Sequence, residues 1–293
     1  MTEKIFLELA LKHDVSIQRI TSTNELGLDF KTAVGEGPSG KKWLLRIPRR
    51  KDYFSRIQQE AKYLQFLKSK VSFNIPDWKV VTPELIAYPL LTDNPALEVN
   101  PGTKEFTWNI NLSSFDYSES LASILYELHN ISIEEAEKTG LKARSIKEIR
   151  QELFREIDLV KAELGISASL EIQWRNWVDE DTYWPDFTVL NHGDLYSGHT
   201  LVNSKNCITG VIDWSEMQIG DSSLDFAGHY MALGEQQLDK TIEKYESMGG
   251  ATWPRMKEHI IQRASASPLK FAMFAITTKN DDHLRSAREQ LGK

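Results

Sequence analysis

A single cysteine, Cys207, stands among 293 residues, so no intrachain disulfide is possible and a reducing compartment is expected. No apolar run approaches the length that spans a bilayer. The opening MTEKIFLELALKHD carries Glu8 inside its only apolar stretch, which is too short and too charged for a secretory signal. Its apolar residues at 5, 6, 9 and 10 suit an amphipathic helix instead. Positive charge is not in surplus either: 35 Lys and Arg face 42 Asp and Glu, a net −7. A phosphate backbone selects a basic face, so nucleic acid is not an expected partner, and neither is a membrane. Internal repeats and low-complexity tracts are missing, as are the H-R-D, D-F-G and A-P-E marks of protein kinases. A cytoplasmic, monomeric protein is expected.

What is present is ordinary in bulk, with 41% hydrophobic and 26% charged residues, and specific in detail. The two halves follow different patterns. FKTAVGEGPSGKKWLLRIP reads as strand, turn, strand. In RRKDYFSRIQQEAKYLQFLKSK, Phe54, Ile57, Ala61, Leu64 and Leu67 recur at helical spacing. Strands are expected at DWKVVT and LIAYPLL, separated by a turn at Thr82-Pro83-Glu84. The loop TDNPALEVNPGT then marks a boundary, giving lobes at 1–91 and 92–293. The second half is mostly helical. Leu121, Ile124, Leu125 and Leu128 form one stripe with Ser118 as its cap, and a second helix ends at Gly165. Trp174 and Trp177 belong to a third stripe. Among these helices lies an island of strand signal, TVLNHGDL, HTLVN and CITGVIDW. The expected class is α+β in two lobes, with one main helix in the first.

The chemistry concentrates in that island. Phosphoryl transfer needs a carboxylate for the acceptor hydroxyl, metal to neutralise phosphates, and a cation on the phosphate oxygens. Asp194 of HGDLYSGH follows an apolar strand; Asp213 follows Val211-Ile212 nineteen residues later. A short hairpin separates the two, and paired carboxylates suit Mg²⁺. Five residues after Asp194, where kinase-like loops carry a metal-binding asparagine, stands His199. An Asp after a strand is often only a turn residue, and His192, His129 and His229 read most simply as structural; the joint spacing is what points to catalysis. Upstream, Arg46 ends WLLRIP. Glu60 shares a helix face with Ile57 and Leu64 and so borders the buried side, where a carboxylate needs a cation. Arg46 is the natural partner, with Arg49 or Arg50 as alternatives. Gly27, before a strand, is the weaker sign of a phosphate-covering loop, since no G-x-G-x-x-G is present.

HGDLYSGHTLVN, GVIDWSE and GDSSLDFAGH together resemble the aminoglycoside-phosphotransferase superfamily of kinase-like small-molecule kinases. GLDF, WLLRIPRR, IPDW, ELIAYPLL and WPDF narrow the resemblance to macrolide 2′-phosphotransferases. The resemblance implies a two-lobed protein-kinase-like fold. It further implies Mg²⁺-dependent transfer of the γ-phosphoryl of GTP or ATP to the 2′-hydroxyl of a macrolide's amino sugar. By that likeness Asp194 is the catalytic carboxylate, and His199 and Asp213 hold metal. Arg46 and Glu60 form the phosphate-gripping pair. Leu201 and Ile212 pack on the base, whose polar edge meets backbone around Tyr88, Leu90 and Leu91. Asp225 is expected to anchor the catalytic loop. His199 is a nitrogen ligand where asparagine offers oxygen; it binds metal directly, through water, or positions Asp194. YMALG and PLKFAMFAIT offer apolar side chains for an acceptor wall but read mainly as core. The alternatives are a kinase for an aminoglycoside or another small alcohol, and a catalytically silent nucleotide-binding module.

Overall fold

The strand–turn–strand read at residues 30–48 forms the centre of a five-stranded antiparallel sheet. The computed structural model describes residues 2–25, 29–50, 53–100, 103 and 105–293. Helix α1 (Thr2–Lys12) precedes β1 (Arg19–Asn24), β2 (Phe30–Glu36) and β3 (Lys42–Pro48). Helix α2 (Phe54–Leu67) follows, then β4 (Val80–Val81) and β5 (Ile86–Pro89), in the sheet order β1-β2-β3-β5-β4. The last two strands are shorter than the sequence suggests. Thr82 Oγ1 accepts the Leu85 N–H at 2.9 Å and turns the chain between them.

Strand alternation divides the side chains between two faces. Leu45, Ala87, Ala33 and Leu85 pack with Phe6 and Ala10 of α1. Ile86, Tyr88, Phe30 and Leu44 pack with Tyr53, Ile57 and Phe54 around the start of α2. Arg46 pairs with Thr32 on one side and Ile86 on the other, so its side chain falls on the α2 face. The register thus aims Arg46 at the helix that carries Glu60.

The stretch 92–100 is more structured than a boundary loop. It contains β6 (Asn94–Pro95) and β7 (Leu97–Val99), the latter antiparallel to β8 (Phe106–Trp108). Helix α3 (Asp116–His129) starts two residues before the expected cap, which leaves Ser118 fully buried inside its first turn. After α4 (Ile133–Glu137), α5 (Ile146–Glu163) opens on a capping box of Ser145 and Glu148. It ends before Gly165, whose φ of +79° is the left-handed stop the sequence suggests. Next come α6 (Ala168–Asp179) and β9 (Val189–Asn191), then β10 (Thr200–Val202) and β11 (Ile208–Val211) as an antiparallel hairpin. Beyond them lie β12 (Gln218–Gly220), antiparallel to β9, and helices α7 (Ser223–Leu233), α8 (Glu235–Ser247), α9 (Met256–Ser265), α10 (Ser267–Thr278) and α11 (Asp281–Gln290).

Packing gathers the chain into two compact units. The first runs to Ser120 and includes Ser197–Met217; the second comprises Leu121–Tyr196 and Gln218–Lys293. A break at 91/92 follows the change in sequence pattern, whereas packing carries the first unit further and takes in the β10–β11 hairpin. Three contacts explain the hairpin's allegiance: β10 pairs with β6, Asn74 bridges Gly210, and Trp214 stacks on Phe73. In the second unit Trp174 and Trp177 are buried with Ile157 and Val160 of α5 and with Leu269, Ala272 and Ala275 of α10. The core reading of PLKFAMFAIT holds for those three positions. No helix among the described residues is long and apolar enough to cross a membrane.

Candidate active site

In the first unit, Arg46 Nη1 lies 3.7 Å from Glu60 Oε1, with Glu60 only 3% exposed. Arg46, not Arg49 or Arg50, faces that carboxylate: Arg49 reaches the carbonyl of Glu25, and Arg50 pairs with Asp29. The guanidinium also covers the Phe30 ring at 4.0 Å. Burial pushes the Glu60 carboxyl up to about 7, while Arg46 and the Trp214 backbone N–H pull the other way. Burial likewise opposes the Arg46 charge, but Glu60 and Asp213 outweigh it, so the guanidinium stays protonated. Arg46, Glu60 and Asp213 therefore share one electrostatic neighbourhood. Tyr88 belongs to it too: its buried hydroxyl is pushed up to about 12 by desolvation against the pull of Arg46.

The hairpin supplies the next two groups. Asp213 follows β11 with φ at +66°, a left-handed conformation uncommon outside glycine but tolerated by aspartate. Its Oδ2 lies 3.8 Å from His199 Nε2, and Ser215 Oγ donates to Oδ1 at 3.1 Å. The Ile212 N–H bonds the His199 carbonyl, which closes the hairpin at that level. No cluster of three or more His, Cys, Asp or Glu able to hold a metal occurs among the described residues. A Mg²⁺ ion normally takes only one or two protein ligands and completes its shell with phosphate oxygens and water. Asp213 supplies a hard oxygen donor of the kind that demand calls for, and His199 Nε2, a softer donor, lies 3.8 Å from it.

Leu201 is buried on β10, opposite Gly210, and Ile212 is half-buried. Leu90 continues the line of β5, its N–H bonded to the Lys42 carbonyl at 2.9 Å, with Leu91 next in the chain and half-buried. Gly27 lies outside the described residues.

The second unit holds Asp194. The loop leaves β9 at His192, turns at Gly193 with φ +88°, and presents Asp194 44% exposed at the side chain. Asp225 of α7 clamps this turn: its two carboxylate oxygens accept the N–H groups of His192 at 2.8 Å and Gly193 at 3.0 Å. His192 is fully buried, and its Nδ1 accepts the Asp194 N–H at 3.3 Å. His129 Nε2 backs Asp225 at 3.4 Å and its Nδ1 meets the Tyr245 hydroxyl at 3.0 Å. These histidines are structural, as read, and Asp225 is the anchor expected of it. Burial alone would raise the Asp225 carboxyl, but hydrogen bonds and nearby histidines hold it below its ordinary range. Gly228 lets α7 approach the loop: a Cβ there would come within 2.5 Å of the Leu195 carbonyl.

Two features escape sequence reading. Lys270 of α10 donates to Asp194 Oδ1 at 2.9 Å and to the Gly193 carbonyl at 3.3 Å. Asp221 is buried against His259 at 3.2 Å and against Arg263. His259 Nδ1 accepts from Trp177 Nε1 at 2.9 Å, so its proton sits on Nε2 and points to Asp221. His259 and Arg263 stand at i and i+4 on one face of α9, a spacing that would have marked them as partners for a buried carboxylate.

A family model described as "Phosphotransferase enzyme family" matches residues 22–259, and the chain belongs to that family. Its α+β architecture is the kinase-like fold of the aminoglycoside phosphotransferases; the GDP and kanamycin complex of one of them superposes with a TM-score of 0.79 at 16% identity. Within the family the chain is similar to the macrolide enzymes. A macrolide 2′-phosphotransferase type I superposes with a TM-score of 0.93 at 36% identity, covering 98% of this chain and 95% of the other. Macrolide 2′-phosphotransferase MphH from Brachybacterium faecium gives 0.91 at 34%, covering 98% and 97%. YcbJ, an uncharacterized protein of Bacillus subtilis (strain 168), is 36% identical over 271 residues, 92% of this chain and 89% of its own length.

Proposed function

We propose that this chain is a macrolide 2′-phosphotransferase that uses GTP or ATP with Mg²⁺ and thereby inactivates the antibiotic. The single observation that carries the chemistry is the catalytic-loop turn: Asp225 fixes the amides of His192 and Gly193, and Asp194 emerges beside them. Likeness to two macrolide enzymes at about a third identity over nearly the whole chain supports the acceptor. The GDP bound to a more distant family member supports a guanine nucleotide as one donor.

In this reading Asp194 orients the acceptor hydroxyl and takes its proton. The acceptor oxygen bonds to the γ-phosphorus, the bond from that phosphorus to the β-phosphate oxygen breaks, and the nucleoside diphosphate leaves. The transition state is loose, so positioning and charge neutralisation do most of the work. His199 and Asp213 would hold Mg²⁺, which neutralises phosphate charge when bound. Arg46, kept in place by Glu60, grips phosphate oxygens with its planar fork. Leu201 and Ile212 contact the base, and the backbone at Tyr88, Leu90 and Leu91 reads its edge. Nucleotide binding falls mainly to residues 1–91, with catalysis and acceptor binding in 92–293. The added phosphate brings nearly two negative charges to a packed drug surface, enough to abolish its fit.

The test is to incubate the protein with Mg²⁺, GTP or ATP, and erythromycin, an aminoglycoside or no acceptor, then weigh the acceptor. Erythromycin should gain one phosphoryl group. A gain confined to the aminoglycoside would retain the catalytic loop and overturn the acceptor.

A further inference from the structure

Lys270 has no part in the machinery described above, yet its ammonium group touches the one carboxylate on which that machinery turns. We infer that Lys270 is a positioning residue for phosphoryl transfer: it holds Asp194 Oδ1 so that the carboxylate keeps one orientation toward the acceptor hydroxyl. The inference rests on the reading of Asp194 as the catalytic carboxylate.

The argument begins with where Lys270 is rooted. Its neighbours Leu269 and Ala272 are buried, at 2% and 0%, in the main core of the second unit. The Cα of Lys270 is therefore fixed by packing, although its side chain lies on the outward face of α10 and is 61% exposed. From that root the ammonium makes two bonds to the catalytic loop, to Asp194 Oδ1 at 2.9 Å and to the Gly193 carbonyl at 3.3 Å. Both acceptors belong to the turn that Asp225 clamps from behind through the His192 and Gly193 amides. The backbone of the loop is thus held from α7 and its carboxylate from α10.

Stability does not explain the contact. An ion pair this exposed contributes little to folding, because water screens it and the long side chain loses freedom. Orientation does explain it. An aspartate side chain turns about two bonds, and a loose transition state rewards a base already in place. A carboxylate has lone pairs enough for both a lysine and an acceptor hydroxyl.

The test compares wild type, Lys270→Met, Lys270→Arg and Asp194→Asn. The readouts are kcat and KM for acceptor and for nucleotide, nucleotide Kd, and Tm. The same four proteins are compared in acceptor-independent nucleotide hydrolysis, in which water replaces the alcohol, so the result does not hang on one acceptor. Lys270→Met should lower kcat roughly tenfold to a hundredfold, less than the loss in Asp194→Asn, with nucleotide Kd and Tm unchanged. Lys270→Arg should recover most of that loss. Wild-type kcat in Lys270→Met, beside an inactive Asp194→Asn, would overturn the role of Lys270 alone. A tighter acceptor KM with no loss of kcat would overturn it as well, since the lysine would then merely obstruct a cationic substrate. Full turnover by Asp194→Asn would instead remove the underlying assignment of the catalytic carboxylate.

Discussion

Asp225 accepts the backbone N–H of His192 at 2.8 Å, and with that bond a residue 33 positions downstream, on α7, dictates the shape of the loop that carries Asp194. The carboxylate is fully buried and also serves Gly193 and His129. Asp225→Ala leaves two loop amides and a histidine without their acceptor, so it should destabilise the fold by about 3 kcal/mol. Denaturant unfolding measures that loss, and turnover should fall with it even at temperatures where the variant is fully folded.

Gly228 offers a milder way to disturb the same loop. A methyl group there meets the Leu195 carbonyl at 2.5 Å and the Tyr196 Cβ at 3.0 Å. The backbone must give way, because a carbonyl cannot rotate aside like a side chain. Gly228→Ala should cost roughly 1–3 kcal/mol and should lower kcat more than it raises the nucleotide Kd. Isothermal titration and steady-state kinetics on one preparation separate the two.

The Arg46–Glu60 pair predicts a non-additive double mutant. Arg46→Met strands a buried carboxylate and should destabilise by about 3–5 kcal/mol, with nucleotide affinity lost as well. Adding Glu60→Gln removes the stranded charge. The double variant should therefore regain much of the stability but none of the nucleotide affinity, a separation readable from Tm and Kd.

Acid should weaken the second unit through Asp221 and His259. Burial holds His259 below its ordinary value despite the pull of Asp221, so the folded chain keeps it neutral while the unfolded chain protonates it near 6.5. Stability from this source is complete above that pH and declines as pH falls below it. Asp221 is held below the usual carboxylate range: burial would raise it, and Arg263 and His259 outweigh burial. Its contribution is lost at lower pH still, below the unfolded value near 4. Tm should fall from pH 7 to pH 5 and fall further below pH 4. His259→Gln should lack the first decline.

Local pattern carried much of this architecture into view. Helical spacing put Glu60 on the buried face of α2, and strand alternation then set Arg46 opposite it. The apolar runs around HGD and IDW read correctly as strands, and the β10–β11 hairpin formed where the Ser204-Lys205-Asn206 turn suggested. Long-range contacts were less legible. Lys270 is one lysine among many, 76 residues beyond Asp194, and nothing in its neighbours marks it. The pairing of β6 with β10 was hidden because two residues around a proline carry no strand signal of their own. The early start of α3 was hidden as well, since Asp116 and Tyr117 continue a polar loop until Tyr117 packs its hydroxyl against Thr200.

The central claim is that Asp194 directs transfer of a phosphoryl group to a macrolide hydroxyl. The most direct measurement pairs wild type with Asp194→Ala, following phosphorylated erythromycin by mass and nucleotide affinity by titration in the same buffer. The account predicts a lighter product pool for the variant by about 10²–10⁴-fold at equal times, with nucleotide Kd unchanged. Product formed at the wild-type rate by Asp194→Ala would contradict it.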